Sequence, residues 1–157
     1  MPRASGTAAL AAYEASPAGR WLAVKALHGI VDVALDRALG REHALSVREL
    51  GALELLSTQD DDEGGHFQMG ELARGLALSQ SATTRLVTRL EERGMLTRYI
   101  CPTDRRGVYT DVTDAGMHLL SQARPTRDAA LAEVLGSIVD DRLSPLVRFI
   151  EADEGET

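Results

Sequence analysis

Cysteine is nearly absent. Cys101 stands alone in 157 residues, which excludes an intramolecular disulfide and agrees with a reducing compartment. Long apolar runs are missing too: the most apolar stretch is interrupted at Lys25, Asp32 and Asp36, so neither a transmembrane span nor a secretory h-region is expected and the chain reads as cytoplasmic, with no membrane partner. There is no His-x-x-x-His pair, no Gly-rich phosphate loop and no Gly-x-Ser-x-Gly elbow, so catalysis is not expected. His28, His43, His66 and His118 lack metal-like spacing, and a zinc site would have to be assembled from distant parts. The expectation is no cofactor and no metal. Internal repeats and low-complexity blocks are also lacking.

What is present is an ordinary globular composition, 44% hydrophobic and 26% charged, on a chain of single-domain length. The net charge of −7 argues at first against a polyanionic partner. Its distribution argues the other way. Between Ser79 and Gly107, Arg85, Arg89, Arg93, Arg98, Arg105 and Arg106 face only Glu91, Glu92 and Asp104, leaving +3 there and −10 elsewhere.

Along the chain, the first sixteen or so residues are small and weakly patterned, predicting a frayed arm with room for a short helical piece. Ser16–Pro17 reads as an N-cap with Pro in the first helical position. From there to about Gly40, Trp21, Val24, Leu27, Ile30, Val31, Ala34, Leu35 and Ala38 recur at helical spacing, forming a wide apolar stripe. Ser46 with Glu49 is a capping-box signature for the helix carrying Leu50, Leu53, Leu55 and Leu56. The acidic, glycine-containing run from Ser57 to Gln68 is expected to be a surface loop. Leu72, Ala73 and Leu76 then mark a short helix, Ser79 caps a second, and Gly94 ends it. Two strand-like runs follow, at Met95–Ile100 and Gly107–Val112, with Val108, Thr110 and Val112 alternating against Tyr109 and Asp111. Thr113 caps a last long helical stripe that Pro125 should kink. Pro145 leaves two courses open, a helix beginning there or one from near Asp140 bent there.

Helix, turn, helix and a hairpin with a basic tip make a winged helix arrangement, mostly α with a small β-hairpin wing. On the second helix Ala82, Thr83, Leu86 and Leu90 fall on one side, and Ser81, Thr84, Arg85 and Thr88 on the other. Short hydroxyl and amide side chains near a helix N-terminus suit base edges and phosphates. Arg105 and Arg106 sit on a hairpin tip that has no core to bury them, and a narrow minor groove attracts inserted arginine. Asp104 is placed to hold one of them extended.

The stretch from Glu71 to Tyr99, followed by Pro102–Gly116 with its Asp-Arg pair, alternating strand and Thr-x-x-Gly helix start, resembles the MarR-type winged helix regulators, and the resemblance runs from about Trp21 to Ala152. It implies a DNA-binding regulator, a repressor by default, in which Gln80, Ser81, Thr83, Thr84, Arg85, Thr88 and Arg89 face double-stranded DNA, Arg105 and Arg106 form the wing tip, and Asp104 orients the arginine in the minor groove. It further implies a homodimer, with 17–45 and 114–154 as dimerisation helices around a lobe at 46–113. The wide first stripe asks for such a partner independently. Many members release DNA on binding a small, often anionic aromatic effector, for which Trp21, His28, Leu53 and Met69 are the candidate lining residues. The sequence departs from the family pattern at Gly70, where a Ser cap is usual, at Gly75 inside the first motif helix, and at Ala77, where the turn usually has Gly. Two other readings fit part of the pattern: a winged helix that binds protein and not DNA, and a thiol redox sensor acting through Cys101.

Overall fold

The computed structural model describes residues 6–59, 67–100 and 108–152. They build seven helices and one hairpin among the described residues: α1 (Gly6–Glu14), α2 (Pro17–His43), α3 (Val47–Leu56), α4 (Met69–Gly75), α5 (Gln80–Glu92), β1 (Leu96–Ile100), β2 (Val108–Val112), α6 (Asp114–Gly136) and α7 (Ser144–Glu151). The chain divides into two compact units, one of residues 1–35 and 129–157, the other of residues 36–128. Both α2 and α6 cross from one unit into the other.

In the second unit, each local element begins with a side chain that satisfies backbone donors the helix cannot. The Ser46 hydroxyl accepts the Glu49 N–H at 3.2 Å, while the Glu49 carboxylate accepts the Ser46 N–H at 2.9 Å. Asp36 adds an acceptor for the Val47 N–H at 2.7 Å. The start of α4 departs from expectation. Gln68, not Gly70, stands at the cap, and Glu71 reaches back to its N–H at 2.9 Å. Gly75 ends α4 instead of interrupting it, and a Cβ there would lie 2.5 Å from Leu55 Cδ2, so its small size lets α4 approach α3.

The turn from α4 to α5 is a Schellman motif. Leu78 donates its N–H to the Ala73 carbonyl at 2.9 Å and Ala77 to Arg74 at 3.1 Å, with Ala77 in the left-handed region at φ 52°. The same pattern closes α5: Met95 bonds to Leu90 and Gly94 to Glu91, both at 2.8 Å, with Gly94 at φ 74°. One site has glycine and the other does not.

Strands β1 and β2 pair antiparallel, Leu96 opposite Val112 and Ile100 opposite Val108. Gln68 adds an isolated bridge to Tyr109. The simple alternation expected of β2 fails there, because Tyr109 and Thr110 are both buried. Tyr109 takes its place against that bridge on one side, and the Thr110 hydroxyl contacts Met69 Sδ on the other. Thr113 starts α6 as expected, its oxygen accepting the Gly116 N–H at 3.1 Å and its hydroxyl donating to the Gly94 carbonyl at 2.6 Å. Leu39, Leu50, Leu53, Leu72, Leu86, Val87, Leu90, Leu96 and Leu120 form the core of this unit.

In the first unit the expected arm is a regular helix, α1. Ser16 joins it to α2 by donating to the Tyr13 carbonyl at 2.5 Å and accepting the Gly19 N–H at 3.2 Å. Helix α2 runs past Gly40 to His43. Helix α6 continues through Pro125, with Leu120 and Ala123 buried before it and Leu135 after it. Pro145 lies in the first turn of α7, which settles its course in favour of a helix start. Leu27, Leu135 and Leu143 form a small second core with Ala23, Val31 and Leu146 around it. Arg142 donates to Glu14 at 3.0 Å and to Asp140, whose carboxyl those hydrogen bonds hold down at about 2.

Candidate nucleic-acid interface

Helix α5 has two unlike faces. Thr83, Leu86, Val87 and Leu90 are buried, whereas Gln80, Ser81, Thr84, Arg85 and Arg89 are exposed and Thr88 is half-buried. Ser79 caps the helix by accepting the Ala82 N–H at 3.2 Å, and its hydroxyl lies 3.2 Å from that of Ser81. The first turn thus presents hydroxyl groups and a side-chain amide beside the unpaired N–H groups of the helix start, a setting that favours anions.

The expectation for Thr83 is overturned. It is fully buried, and its hydroxyl donates to the Ser79 carbonyl at 3.0 Å, inside the core. The helical wheel placed it on the apolar side, and the family resemblance implied the opposite role. The wheel was right. Thr84 also bonds back, to the Gln80 carbonyl at 2.9 Å, but stays exposed.

The arginines divide by what they face. Arg85 is exposed and makes no hydrogen bond or ion pair among the described residues. Arg89 is turned toward Glu49 of α3, with Nε 3.5 Å from the carboxylate, and Arg93 approaches the same carboxylate at 3.8 Å. Burial opposes ionisation of Glu49, yet hydrogen bonds from Ser46 and the charges of Arg93 and Arg89 outweigh it and hold the carboxyl below its ordinary value. This anchor was not foreseen from sequence. Glu49 was read as a capping residue only, and nothing in a one-dimensional pattern reveals that α5 brings two arginines to it. Arg98 of β1 was likewise counted as part of a basic window, whereas its guanidinium lies against Thr88 and Glu91 of α5. Asp104, Arg105, Arg106 and Cys101 lie outside the described residues.

The four candidate effector-lining residues are not alike. Leu53 is wholly buried in the core of the second unit. Met69 is partly buried in that unit. Trp21 is 62% exposed on α2. His28, also on α2, lines an apolar groove of about 350 Å³ with Val24, Leu27, Val31, Phe149 and Ile150. No described helix is long and apolar enough to cross a membrane.

A short helix, a tight turn, a basic second helix and an antiparallel hairpin in direct sequence define a winged helix-turn-helix, the architecture of DNA-binding transcription regulators. The MarR family's sequence model matches residues 45–108, from the residue before the Ser46 cap to the start of β2. Over that segment the chain is similar to the MarR family. It is similar to the HTH-type transcriptional regulator MhqR of Bacillus subtilis, 26% identical over 110 residues that cover 70% of this chain and 72% of that protein. CouR from Rhodococcus jostii, solved bound to p-coumaroyl-CoA, is 27% identical with a TM-score of 0.65, covering 82% of this chain and 86% of that one. A MarR family regulator from Streptomyces coelicolor, solved in complex with DNA, shares the fold at a TM-score of 0.68 and 22% identity, over 87% of this chain and 88% of the other.

Proposed function

We propose that the protein is a cytoplasmic, homodimeric transcriptional repressor that recognises a pseudo-palindromic operator and is released from it by a small aromatic or anionic effector. Recognition falls to the first turns of α5, where Gln80, Ser81, Thr84 and Arg85 face the major groove and Thr88 lies one turn further on. The observation that carries this reading is Arg85, exposed on the helix's polar face with no internal carboxylate to neutralise it among the described residues. Wing residues Arg105 and Arg106 enter the minor groove, with Asp104 orienting them; Arg89 is secondary, since it is turned toward Glu49. The solved complex of a fold relative with DNA supports the partner, and the p-coumaroyl-CoA complex of CouR supports the effector class.

Dimerisation is supported by apolar side chains left uncovered on α2 and α7. Trp21, Ile30 and Val33 are exposed on α2, and Phe149 is 80% exposed on α7. A two-fold pair would set two α5 helices ~34 to 36 Å apart, one turn of duplex. Light scattering of wild type and Phe149→Asp tests this: a dimeric mass that falls toward 16.9 kDa in the variant is expected, and a monomeric wild type would sink the dimer.

The test of function is fluorescence anisotropy with a pool of promoter-length duplexes, at low and near-physiological salt, using wild type, Arg85→Ala and Arg106→Ala. Sequence-selective binding that weakens roughly 5- to 150-fold in each variant is expected, in line with the ~1 to 3 kcal/mol of a good arginine contact. Weak, unselective binding that is equal in all three would point to a protein-binding winged helix instead.

A further inference from the structure

The hydroxyl of Thr88 is held in a different state from those of its neighbours on α5. Thr83 and Thr84 each donate their proton to the carbonyl four residues back. At Thr88 the oxygen accepts a hydrogen bond from Arg98 Nη2 at 2.7 Å, and the proton has no acceptor among the described residues. A threonine hydroxyl carries one donor and two acceptor positions, so an arginine on one acceptor position directs the proton away from itself.

The geometry that produces this is built into the wing. In β1 the side chains alternate between faces, so Arg98 shares the face of Leu96, which is buried in the core against α5. Thr88 and Glu91 are three residues apart on α5 and therefore neighbours on its surface. Arg98 spans both. Its Nε lies 2.8 Å from the Glu91 carboxylate, close enough for an ion pair although out of line for a hydrogen bond. With 28% of its side chain exposed, the guanidinium is fixed between a strand of the wing and the recognition helix, while Thr88 keeps an edge in solvent.

We infer that Arg98 is a positioning residue for DNA recognition: it fixes Thr88 as a hydrogen-bond donor toward an acceptor on the duplex, either a base edge in the major groove or a phosphate oxygen. The acceptors that fit are guanine O6 or N7, adenine N7, thymine O4, or a backbone oxygen. The inference rests on the DNA-binding reading above and assigns a role within it to two residues that act together.

The probe is the duplex that the wild-type protein enriches from a randomised pool, read by anisotropy with Thr88→Val, Thr88→Ser, Arg98→Met and the double variant Thr88→Val/Arg98→Met. Thr88→Val keeps the shape and removes the hydroxyl, and is expected to weaken binding roughly 3- to 10-fold, as for one neutral hydrogen bond. Thr88→Ser should bind within about twofold of wild type, and the double variant should bind no more weakly than the weaker single one, because Arg98 acts through Thr88. Loss of preference at one base position in both single variants assigns the acceptor to a base edge; an equal loss across all substituted duplexes assigns it to phosphate. Thermal unfolding of each variant separates these effects from misfolding. Unchanged affinity in Thr88→Val, or losses that multiply in the double variant, would overturn the inference. A wild type that enriches no sequence at all would remove the DNA-binding reading itself, and this inference with it.

Discussion

Ala77 occupies a backbone conformation that glycine adopts without cost and alanine does not. Its φ is 52°, and the Cβ of an L-residue there crowds the following carbonyl, at roughly 1 to 2 kcal/mol. Replacing it by glycine removes that clash and gives back ~0.4 to 1 kcal/mol through the greater freedom of the unfolded chain. Ala77 is exposed, so loss of its methyl forfeits little burial. The net expectation for Ala77→Gly is a gain of about 0.5 to 1 kcal/mol, a rise of roughly 1 to 4 °C in Tm for a chain of this size. The internal control is Gly94, which makes the same pair of hydrogen bonds at the end of α5 with φ 74°; Gly94→Ala should lose about 1 kcal/mol by the same reasoning run backwards. Thermal and urea unfolding of the three proteins, at fixed protein concentration because a dimer's Tm depends on it, decides the matter. A destabilised Ala77→Gly would mean that the turn of the helix-turn-helix does not have this backbone conformation in solution, and the account of how α5 is aimed would fail.

The remaining predictions concern other contacts of the same lobe. Gly116→Ala should destabilise by roughly 1 to 3 kcal/mol as an overpacked substitution, because its Cβ would sit 2.2 Å from the Met95 carbonyl oxygen and 2.7 Å from Val112 Cγ1; a variant that melts with wild type would refute the close approach of α6 to the wing. Glu49→Gln should cost roughly 1 to 3 kcal/mol at neutral pH, the usual scale for disrupting a buried charged hydrogen-bond network. Since the Glu49 carboxyl is held below its ordinary 4.5 in the folded state, its contribution is present above that value and is lost as pH falls through the lower folded one. The stability gap between wild type and Glu49→Gln should therefore narrow below pH 4.5, and a gap that widens on acidification would reverse the assigned sign.

The parts of this molecule that were legible in the sequence are those decided within a few residues. Ser46, Ser79 and Thr113 cap their helices through side chains that reach the backbone three positions on, and Gly94 ends α5 at a positive φ that glycine adopts freely. The apolar period placed α2 through α6 for the same reason. What depended on distant residues was read less well. The convergence of Arg89 and Arg93 of α5 on Glu49 of α3 left no mark in the local pattern. The interface followed the same division. The polar face of α5 follows from helical geometry, but the roles of Thr83, Arg89 and Arg98 depend on the core, on α3 and on α5 as a partner of β1.

The division of arginines also bears on how an acidic chain can bind an anionic polymer without binding it everywhere. The window from Ser79 to Gly107 carries six arginines, and a count of charges alone would offer all of them to phosphate. Three are engaged inside the lobe, Arg89 and Arg93 by Glu49 and Arg98 by Glu91. These ion pairs hold α3, α5 and β1 in register and leave fewer cations for the duplex. On the proposed reading, Arg85 and the wing pair supply at most three phosphate-directed charges per protomer and six per dimer, so log Kd should change with log salt by a slope of no more than ~5 in magnitude, at about 0.9 per neutralised phosphate. If all six arginines served DNA, twelve contacts per dimer would give ~11. Anisotropy titrations between 50 and 200 mM salt, roughly the range over which such slopes are resolved, separate the two values. A slope near 11 would mean that the pairs to Glu49 and Glu91 open on DNA, and that the carboxylates assigned here to holding the lobe together give way to phosphate when it binds.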